Sequence, residues 1–181
     1  MSVSNQSTSE KRTPCISEEA FRQGMSALPG TVNIITTGSE ADKAGFTATA
    51  VCSVSDNPPT LLVCLNRGAS VHKVFSKAKS LVVNTLDAGQ DDLSNLFGGK
   101  TPMAERFTNG SWETLVTGSP ILSDAAVSFD CNVTEIKSVA THDVMFCEVV
   151  GIKQKQQAGA LVYFQRGYHH LADKGEIKPA K

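Results

Sequence analysis

The chain has 181 residues, of which 40% are hydrophobic, enough for one compact domain with a core of its own. It carries 17 basic and 18 acidic residues, and this net charge of −1 offers no basic excess for binding nucleic acid or a membrane surface. The longest apolar runs, such as residues 61–65 and 144–147, have the length of a strand and are too short to cross a bilayer.

The two ends of the chain are polar. Residues 1–14 contain no apolar segment typical of a secretory signal and are interpreted as a disordered tail, and residues 173–181 as a polar C-terminal tail. The folded domain is therefore predicted to span residues 15–172. The five cysteines are widely spaced, with no Cys-x-x-Cys pair, which favours free thiols in a cytoplasmic protein over a disulfide framework.

The first predicted element is a helix that is capped by Ser17 and ends at Pro29-Gly30. Residues 31–37 are rich in β-branched side chains and predict a strand, and the polar residues 38–45 predict a hairpin connection. Residues 45–59 then alternate as one strand, until two successive prolines stop it. One face of this strand carries Thr47, Thr49, Val51, Ser53 and Ser55.

The strand over residues 45–59 has almost no bulk, whereas a strand built only for a core favours Val, Ile and aromatic residues throughout. Its short side chains leave the backbone accessible to a flat heteroaromatic ligand with a hydrogen-bonding edge. The pattern alone favours the simpler alternative, in which Thr and Ser face water, because many antiparallel sheets are wet on one face.

The rest of the chain alternates short strands and short helices. Strands are predicted at residues 60–65 (buried on both sides), 80–86, 127–136, 144–152 and 160–165, and helices from residue 69 or 70, at 90–97 and after Thr101-Pro102. In the strand at 127–136, the apolar residues are predicted to face inward and Ser128, Asp130, Asn132 and Thr134 outward. This order predicts a mostly β fold with short helices, an antiparallel barrel with helical insertions.

No set of residues predicts a catalytic nucleophile or a metal site. Gly-x-Ser-x-Gly and Gly-x-Gly-x-x-Gly are absent, and neither Cys nor His occurs at zinc spacing. No catalytic side chain and no metal ligand are therefore assigned. Hydride transfer between two cofactors fits such a sequence, because the cofactors carry the chemistry and the protein holds them at the right distance.

Several segments together resemble a known family: GFTATAVCSVSDNPPTLLVCLNRGAS, LVVNTL, LSNLFGGKTPMAERF, THDVMFCEV and ALVYFQRGYHHL. In order over residues 21–171, they are similar to the short-chain flavin reductases that supply reduced flavin to two-component monooxygenases. Within that family the resemblance is greatest to the NADH:FMN reductases of pyrimidine utilisation, and next to the reductase subunits of 4-hydroxyphenylacetate hydroxylase. The resemblance implies an FMN-binding split β-barrel and a homodimer with flavin held near the subunit interface.

The resemblance also implies site residues. For flavin, they are Thr47, Ala48, Thr49 and Ala50 at the isoalloxazine, Ser53, Val54 and Ser55 near the ribityl chain and phosphate, and Asn66, Arg67 and Ser70 at the phosphate. Asn84 is either a flavin contact or a structural hydrogen-bonding group, and without the resemblance Arg67 is better explained as a solvated surface charge. For NADH, the residues are His142, Tyr168 and His169. The family often has Gly-Asp-His where this chain has Ala140-Thr141-His142, which keeps the histidine.

The implied reaction is NAD(P)H + H⁺ + oxidised flavin giving NAD(P)⁺ and reduced flavin, with FMN or FAD as acceptor. NADH is preferred to NADPH because no arginine pair is evident for a 2′-phosphate. The reduced flavin is expected to diffuse to a separate flavin-dependent monooxygenase, in pyrimidine degradation or, alternatively, in aromatic hydroxylation. Two other classes remain open: a non-catalytic flavin-binding electron carrier, and an oxidase of the pyridoxamine-phosphate type.

Overall fold

The computed structural model describes residues 15–171, so the two predicted tails lie outside the described residues. The described helices are α1 (Glu18–Ser26), α2 (His72–Phe75), α3 (Asp91–Gly98) and α4 (Met103–Arg106). The strands are β1 (Gly30–Thr31), β2 (Asn33–Thr37), β3 (Ala44–Ala48), β4 (Val51–Asp56), β5 (Pro59–Asn66), β6 (Ser80–Thr85), β7 (Trp112–Glu113), β8 (Ile121–Leu122), β9 (Val127–Val139), β10 (His142–Gln154), β11 (Ala160–Phe164) and β12 (Gly167–Leu171). Each of these helices is too short or too polar to cross a membrane.

Most strands belong to one antiparallel sheet with the order β3-β2-β6-β9-β10-β5-β4. A three-stranded sheet, β1-β11-β12, lies beside it, and β7 pairs with β8. Val32 connects the first two sheets, because its N–H donates to Leu161 and its carbonyl accepts from Leu86. The prediction of a mostly β fold with short helices is confirmed.

The predicted single strand over residues 45–59 is wrong, and the difference shapes the fold. The chain forms two strands, β3 and β4, which are the opposite edges of the seven-stranded sheet and are separated in sequence only by Thr49 and Ala50. In a flat sheet these edges would lie about 29 Å apart, at roughly 4.8 Å per strand. The three steps from Ala48 to Val51 span at most about 11 Å. The sheet must therefore curl until its edges almost meet, and it stays unpaired between β3 and β4.

The core has two parts because β2 is buried on both faces. Consecutive strand residues point to opposite sides, so Ile35 packs with Phe46 and Phe75 inside the curled sheet, and Ile34 packs with Phe97 on its outer side. Both isoleucines have no exposed surface. Helix α3 thus covers the outer face beside β3, where its C-terminal end reaches the gap between the two edge strands.

Three local predictions need correction. In β5 only Val63 and Leu65 are buried, because the other face of the strand lines a groove. In β9, Ser128 and Asp130 are buried rather than outward, since Asp130 accepts hydrogen bonds from the N–H groups of residues 116 and 117 at 2.7 and 2.8 Å. Helix α2 begins at His72, later than predicted, because residues 66–69 form a turn closed by hydrogen bonds to the carbonyl and amide oxygens of Asn66.

Candidate functional site

A cavity of about 420 Å³ opens where the curled sheet fails to close. Its floor is the end of β3 and the link to β4, and its walls come from the end of β5 with the following turn and from the end of α3. These parts are residues 46–50, 64–66, 69–71 and 97–99, together with Arg106 and His142. Segments that are distant in sequence therefore meet at the break between the two edge strands.

The floor combines short side chains with free backbone donors. The hydroxyl of Thr47 has a structural role, because it donates a hydrogen bond to the carbonyl of Ser94 at 2.7 Å. Among residues 15–171, no hydrogen bond uses the N–H of Thr49 or of Ala50, and both residues are exposed. These donors, beside the methyl side chains of Ala48 and Ala50, suit a planar ring with acceptor atoms along one edge.

The buried carboxylate of Asp143 stabilises the wall of the cavity that residues 69–71 form. Asp143 accepts a hydrogen bond from the Ser138 hydroxyl at 2.7 Å and pairs with Nε2 of His72, also at 2.7 Å. His72 directly follows the turn that lines the cavity, so this pair attaches that turn to β10. The hydrogen bonds from Ser138 and then from His72 lower the pKa of Asp143 below its usual value.

This lowered pKa predicts a pH-dependent contribution to stability. The carboxylate form stabilises the folded chain above the ordinary aspartate pKa of about 3.9, and the contribution is lost as the pH falls through the lower folded value. We expect Asp143→Asn to unfold at lower urea concentration than the wild type at neutral pH, with a difference that shrinks in acid. Asp56→Asn, at an exposed carboxyl group, is the control. A difference that does not change with pH would contradict the assignment.

His142 lies at the rim of the cavity, where the sequence predicted a ligand contact. It is the first residue of β10, is half-buried, and pairs across the sheet with Asn66, which lines the same rim. Its Nδ1 lies 2.9 Å from the Thr141 hydroxyl. Its Nε2 has no hydrogen-bond partner among the described residues, so it is available to a ligand.

Arg106 is a cavity residue that the sequence analysis missed. Its side chain is only 5% exposed and donates four hydrogen bonds to backbone carbonyls. The acceptors are Thr101 at 2.9 Å, Gly45 and Gly99 at 3.0 Å each, and Phe97 at 2.7 Å. Burial lowers the pKa of the guanidinium, which nevertheless stays protonated.

A sequence signal for Arg106 did exist. Met103, Arg106 and Phe107 are spaced as one helix face, so an arginine flanked by apolar residues on that face predicts a buried charge. The other lining residues that were missed are mostly apolar or glycine and carry no chemical signal: Phe46, Cys64, Leu65, Ala69, Val71, Phe97, Gly98 and Gly99.

The structure gathers six of the eleven predicted flavin residues around the cavity: Thr47, Ala48, Thr49, Ala50, Asn66 and Ser70. Residues Ser53, Val54 and Ser55 lie on the exposed strand β4, outside this cavity. Arg67 also points elsewhere and donates to the carbonyl of Ala140. The role of Arg67 at the phosphate stays a prediction, and the arginine that lines this cavity is Arg106.

Asn84 proves to be structural. It has no exposed surface and does not reach the cavity, and its amide group makes four hydrogen bonds within the protein. The amide nitrogen donates to Ile34 O and Thr36 Oγ1, both at 3.1 Å, and the amide oxygen accepts from Leu122 N and Ser128 Oγ, both at 2.8 Å. The flavin-contact alternative is wrong because the side chain has no free group and no access to a ligand.

Two of the three predicted NADH residues lie outside the cavity as well. The Tyr168 hydroxyl pairs with Ser94 Oγ at 2.8 Å and Asn95 Oδ1 at 3.1 Å, which attaches β12 to α3. His169 is exposed and its Nε2 lies 3.2 Å from the carbonyl of Phe164. Of this set, only His142 lines the cavity, and the roles of Tyr168 and His169 beside the pyridine nucleotide stay predictions.

A second, larger cavity of about 870 Å³ adjoins the first and shares Thr49, Ala50 and Cys64 with it. It lies between α1 and the outer surface of β4 and β5. Helix α1 has no buried residue, and its apolar side chains Phe21 and Met25 are 57% and 47% exposed. The chain by itself thus leaves a wide apolar surface beside the candidate site.

Residues 25–172 match the flavin reductase like domain. The chain belongs to this family. It is similar to the protein named FMN reductase (NADH) RutF from Stutzerimonas stutzeri, with 55% identity over 92% of this chain and 95% of that protein. The predicted family resemblance is confirmed.

Solved structures agree with the split-barrel architecture. A putative flavin reductase from Haemophilus somnus is 49% identical, covers 86% of this chain and 100% of its own, and superposes with a TM-score of 0.84. A nitrilotriacetate monooxygenase component B homologue from Mycobacterium thermoresistibile is 25% identical over 91% of each chain, with a TM-score of 0.82. The cavity therefore lies in a fold that flavin reductases use.

Proposed function

We propose that this flavin reductase family member reduces free flavin with NADH, taking FMN and also FAD as acceptors. The observation that carries the proposal is the cavity at the open edge of the sheet, with its floor of short side chains and free N–H groups and with His142 at its rim. A similar protein is named an FMN reductase that uses NADH, which supports this pair of cofactors.

The residues of the cavity fit a flavin. The floor at residues 47–50 offers a flat surface, and the N–H groups of Thr49 and Ala50 can donate to acceptor atoms of the flavin's pyrimidine ring. The flavin, when bound, supplies the hydride-accepting chemistry. The chain's part is to orient the ring and to hold the nicotinamide beside it, with Nε2 of His142 donating to the carboxamide or a phosphate oxygen.

Hydride transfer needs no side chain to move a proton at the nicotinamide, so no catalytic acid or base is assigned. The floor of the cavity is exposed at Thr49 and Ala50, which favours exchange of flavin with solution over permanent retention. Reduced flavin is then free to leave for a separate flavin-dependent monooxygenase, and a similar structure is described as a monooxygenase component. We place this reaction in the cytoplasm and in pyrimidine degradation, with aromatic hydroxylation as the alternative.

A homodimer completes the proposal. The second cavity and the apolar face of α1 lie beside the candidate site, and a second copy that covers them would exclude water from one side of the flavin. Light scattering at micromolar concentration with FMN present is expected to give twice the mass of the chain. Phe21→Glu should shift the equilibrium towards the monomer, and a monomeric wild type would contradict the assembly.

Steady-state kinetics test the function. Purified protein, NADH and excess FMN or FAD are expected to give continuous loss of NADH absorbance. An electron carrier would bind FMN without oxidising NADH, and an oxidase of the pyridoxamine-phosphate type would retain its flavin and leave NADH unoxidised. Absence of turnover with both FMN and FAD would remove the reductase assignment.

Ala48→Leu tests the place of the flavin. A branched side chain would fill the floor of the cavity, so we expect FMN affinity to fall at least about tenfold, while β3 keeps its pairing with β2. Ala104→Leu, on an exposed position of α4, adds the same bulk away from the cavity and serves as the control. Fluorescence titration with FMN measures the affinity of both folded variants. Unchanged FMN affinity in Ala48→Leu would mean that the isoalloxazine ring binds elsewhere.

A further inference from the structure

His142 reaches the rim of the candidate site from a hairpin tip, residues 139–141, which connects β9 to β10. All three residues of the tip are exposed, and Ala140 has a left-handed backbone conformation with a φ of 49°. One backbone hydrogen bond from outside the hairpin reaches the tip, in which Arg67 N donates to Thr141 O at 3.0 Å. An exposed turn with so few contacts fluctuates easily unless the residues at its base are fixed.

Asp143, the residue after His142, connects the base of this tip to two other side chains. It is buried and lies directly opposite Ser138 in the pairing of β9 with β10. Its Oδ1 accepts a hydrogen bond from the Ser138 hydroxyl and its Oδ2 pairs with Nε2 of His72, each at 2.7 Å. Because a carboxylate only accepts hydrogen bonds, Nε2 of His72 is the donor. The first residue of α2 thus holds the start of β10.

This contact also determines where the His142 side chain projects, because consecutive strand residues point to opposite faces of a sheet. Asp143 pairs across the sheet with the buried Leu65, whereas His142 pairs with Asn66, which is exposed at the rim. A hydrogen bond that fixes the backbone at residue 143 from one face therefore fixes the His142 side chain on the other. His72 does not line the candidate cavity, so it acts on a ligand only through its neighbours.

We propose that His72 is a positioning residue for NADH, which holds His142 through Asp143 in the orientation that receives the nucleotide. This inference rests on the proposed function, in which Nε2 of His142 donates a hydrogen bond to NADH. A donor that is already ordered binds more tightly, because the cost of immobilising its side chain is not subtracted from the affinity. The effect of His72 on NADH binding should therefore depend on the presence of His142.

Steady-state kinetics on single and double variants test this dependence. His72→Ala is expected to raise KM for NADH roughly three- to tenfold with kcat little changed, as for the loss of one ordered side chain. In a His142→Ala background the same substitution should leave KM unchanged, because the side chain that His72 positions is absent. His72→Gln, whose amide can donate to Asp143, should restore most of the wild-type KM. Independent, additive effects of His72→Ala and His142→Ala would overturn the proposal.

Thr117→Val is the matched control for lost stability. The Thr117 hydroxyl donates to Asp130, a second buried carboxylate, which lies outside the candidate cavity. Thr117→Val should therefore lower the free energy of unfolding as His72→Ala does, but leave KM for NADH unchanged. An equal rise of KM in Thr117→Val would show that reduced stability alone accounts for the effect, and would also overturn the proposal.

Amide hydrogen exchange measures the positioning without the reaction. In the ligand-free protein, residues 138–144 should exchange faster in His72→Ala than in the wild type or in Thr117→Val. Unchanged exchange in this segment would contradict the role of His72. Failure of the proposed function is distinguishable, because the wild type would then oxidise NADH with neither FMN nor FAD, while hydrogen exchange would still decide whether His72 holds the hairpin tip.

Discussion

His142→Ala is expected to lower kcat/KM for NADH roughly ten- to hundredfold, because a hydrogen bond to a charged or strongly polar ligand contributes about 1.5–3 kcal/mol. Nε2 of His142 is the free ring nitrogen at the rim of the cavity, while Nδ1 faces the Thr141 hydroxyl. The loss should appear as a higher KM for NADH, since the histidine binds the nicotinamide nucleotide and transfers no proton.

Flavin binding provides the contrast. The dissociation constant of oxidised FMN should be almost normal in His142→Ala, because the floor at residues 47–50 is untouched. His170→Ala is the matched control, since His170 pairs with Asp91 on the surface, away from the cavity. Wild-type kcat/KM for NADH in His142→Ala would show that the histidine only begins β10 and contacts no ligand.

The second large effect is on stability. Asn84→Ala is expected to lower the free energy of unfolding by about 3–5 kcal/mol, because it leaves buried donors and acceptors without partners. The groups affected are Ile34 O, Thr36 Oγ1, Leu122 N and Ser128 Oγ. Urea unfolding followed by circular dichroism measures the change.

Asn132→Ala is the control for this variant, since Asn132 is exposed on β9 and should change stability by less than about 0.5 kcal/mol. The structure makes Asn84, in β6, a link between β2, β8 and β9. An Asn84→Ala protein of unchanged stability that no longer bound FMN would instead support direct contact with flavin.

Local patterns in the sequence predicted those elements whose signals are themselves local. The Ser17 cap predicted α1, and its hydroxyl does accept a hydrogen bond from Ala20 N at 3.1 Å. The helix predicted at residues 90–97 is α3, within one residue at each end. The quoted segments identified the family, which the comparisons confirm, and with it the part of the floor at residues 47–50.

Long-range pairing explains most of what could not be predicted. Period-two alternation continues through Thr49 and Ala50 because both strands are extended, so nothing local shows that β3 and β4 join different edges of the sheet. Asp130 is buried by a segment more than ten residues earlier in the chain. That Arg106 and not Arg67 lines the cavity could not be predicted, because it depends on the fold bringing four backbone carbonyl groups around the Arg106 guanidinium.

The most direct test of this account is a crystal structure of the protein with FMN. The account predicts the isoalloxazine against residues 47–50, with acceptor atoms within hydrogen-bonding distance of Thr49 N or Ala50 N, and with His142 at the open side of the ring. An isoalloxazine bound elsewhere, for example in the larger cavity beside α1 with the floor at residues 47–50 empty, would contradict it.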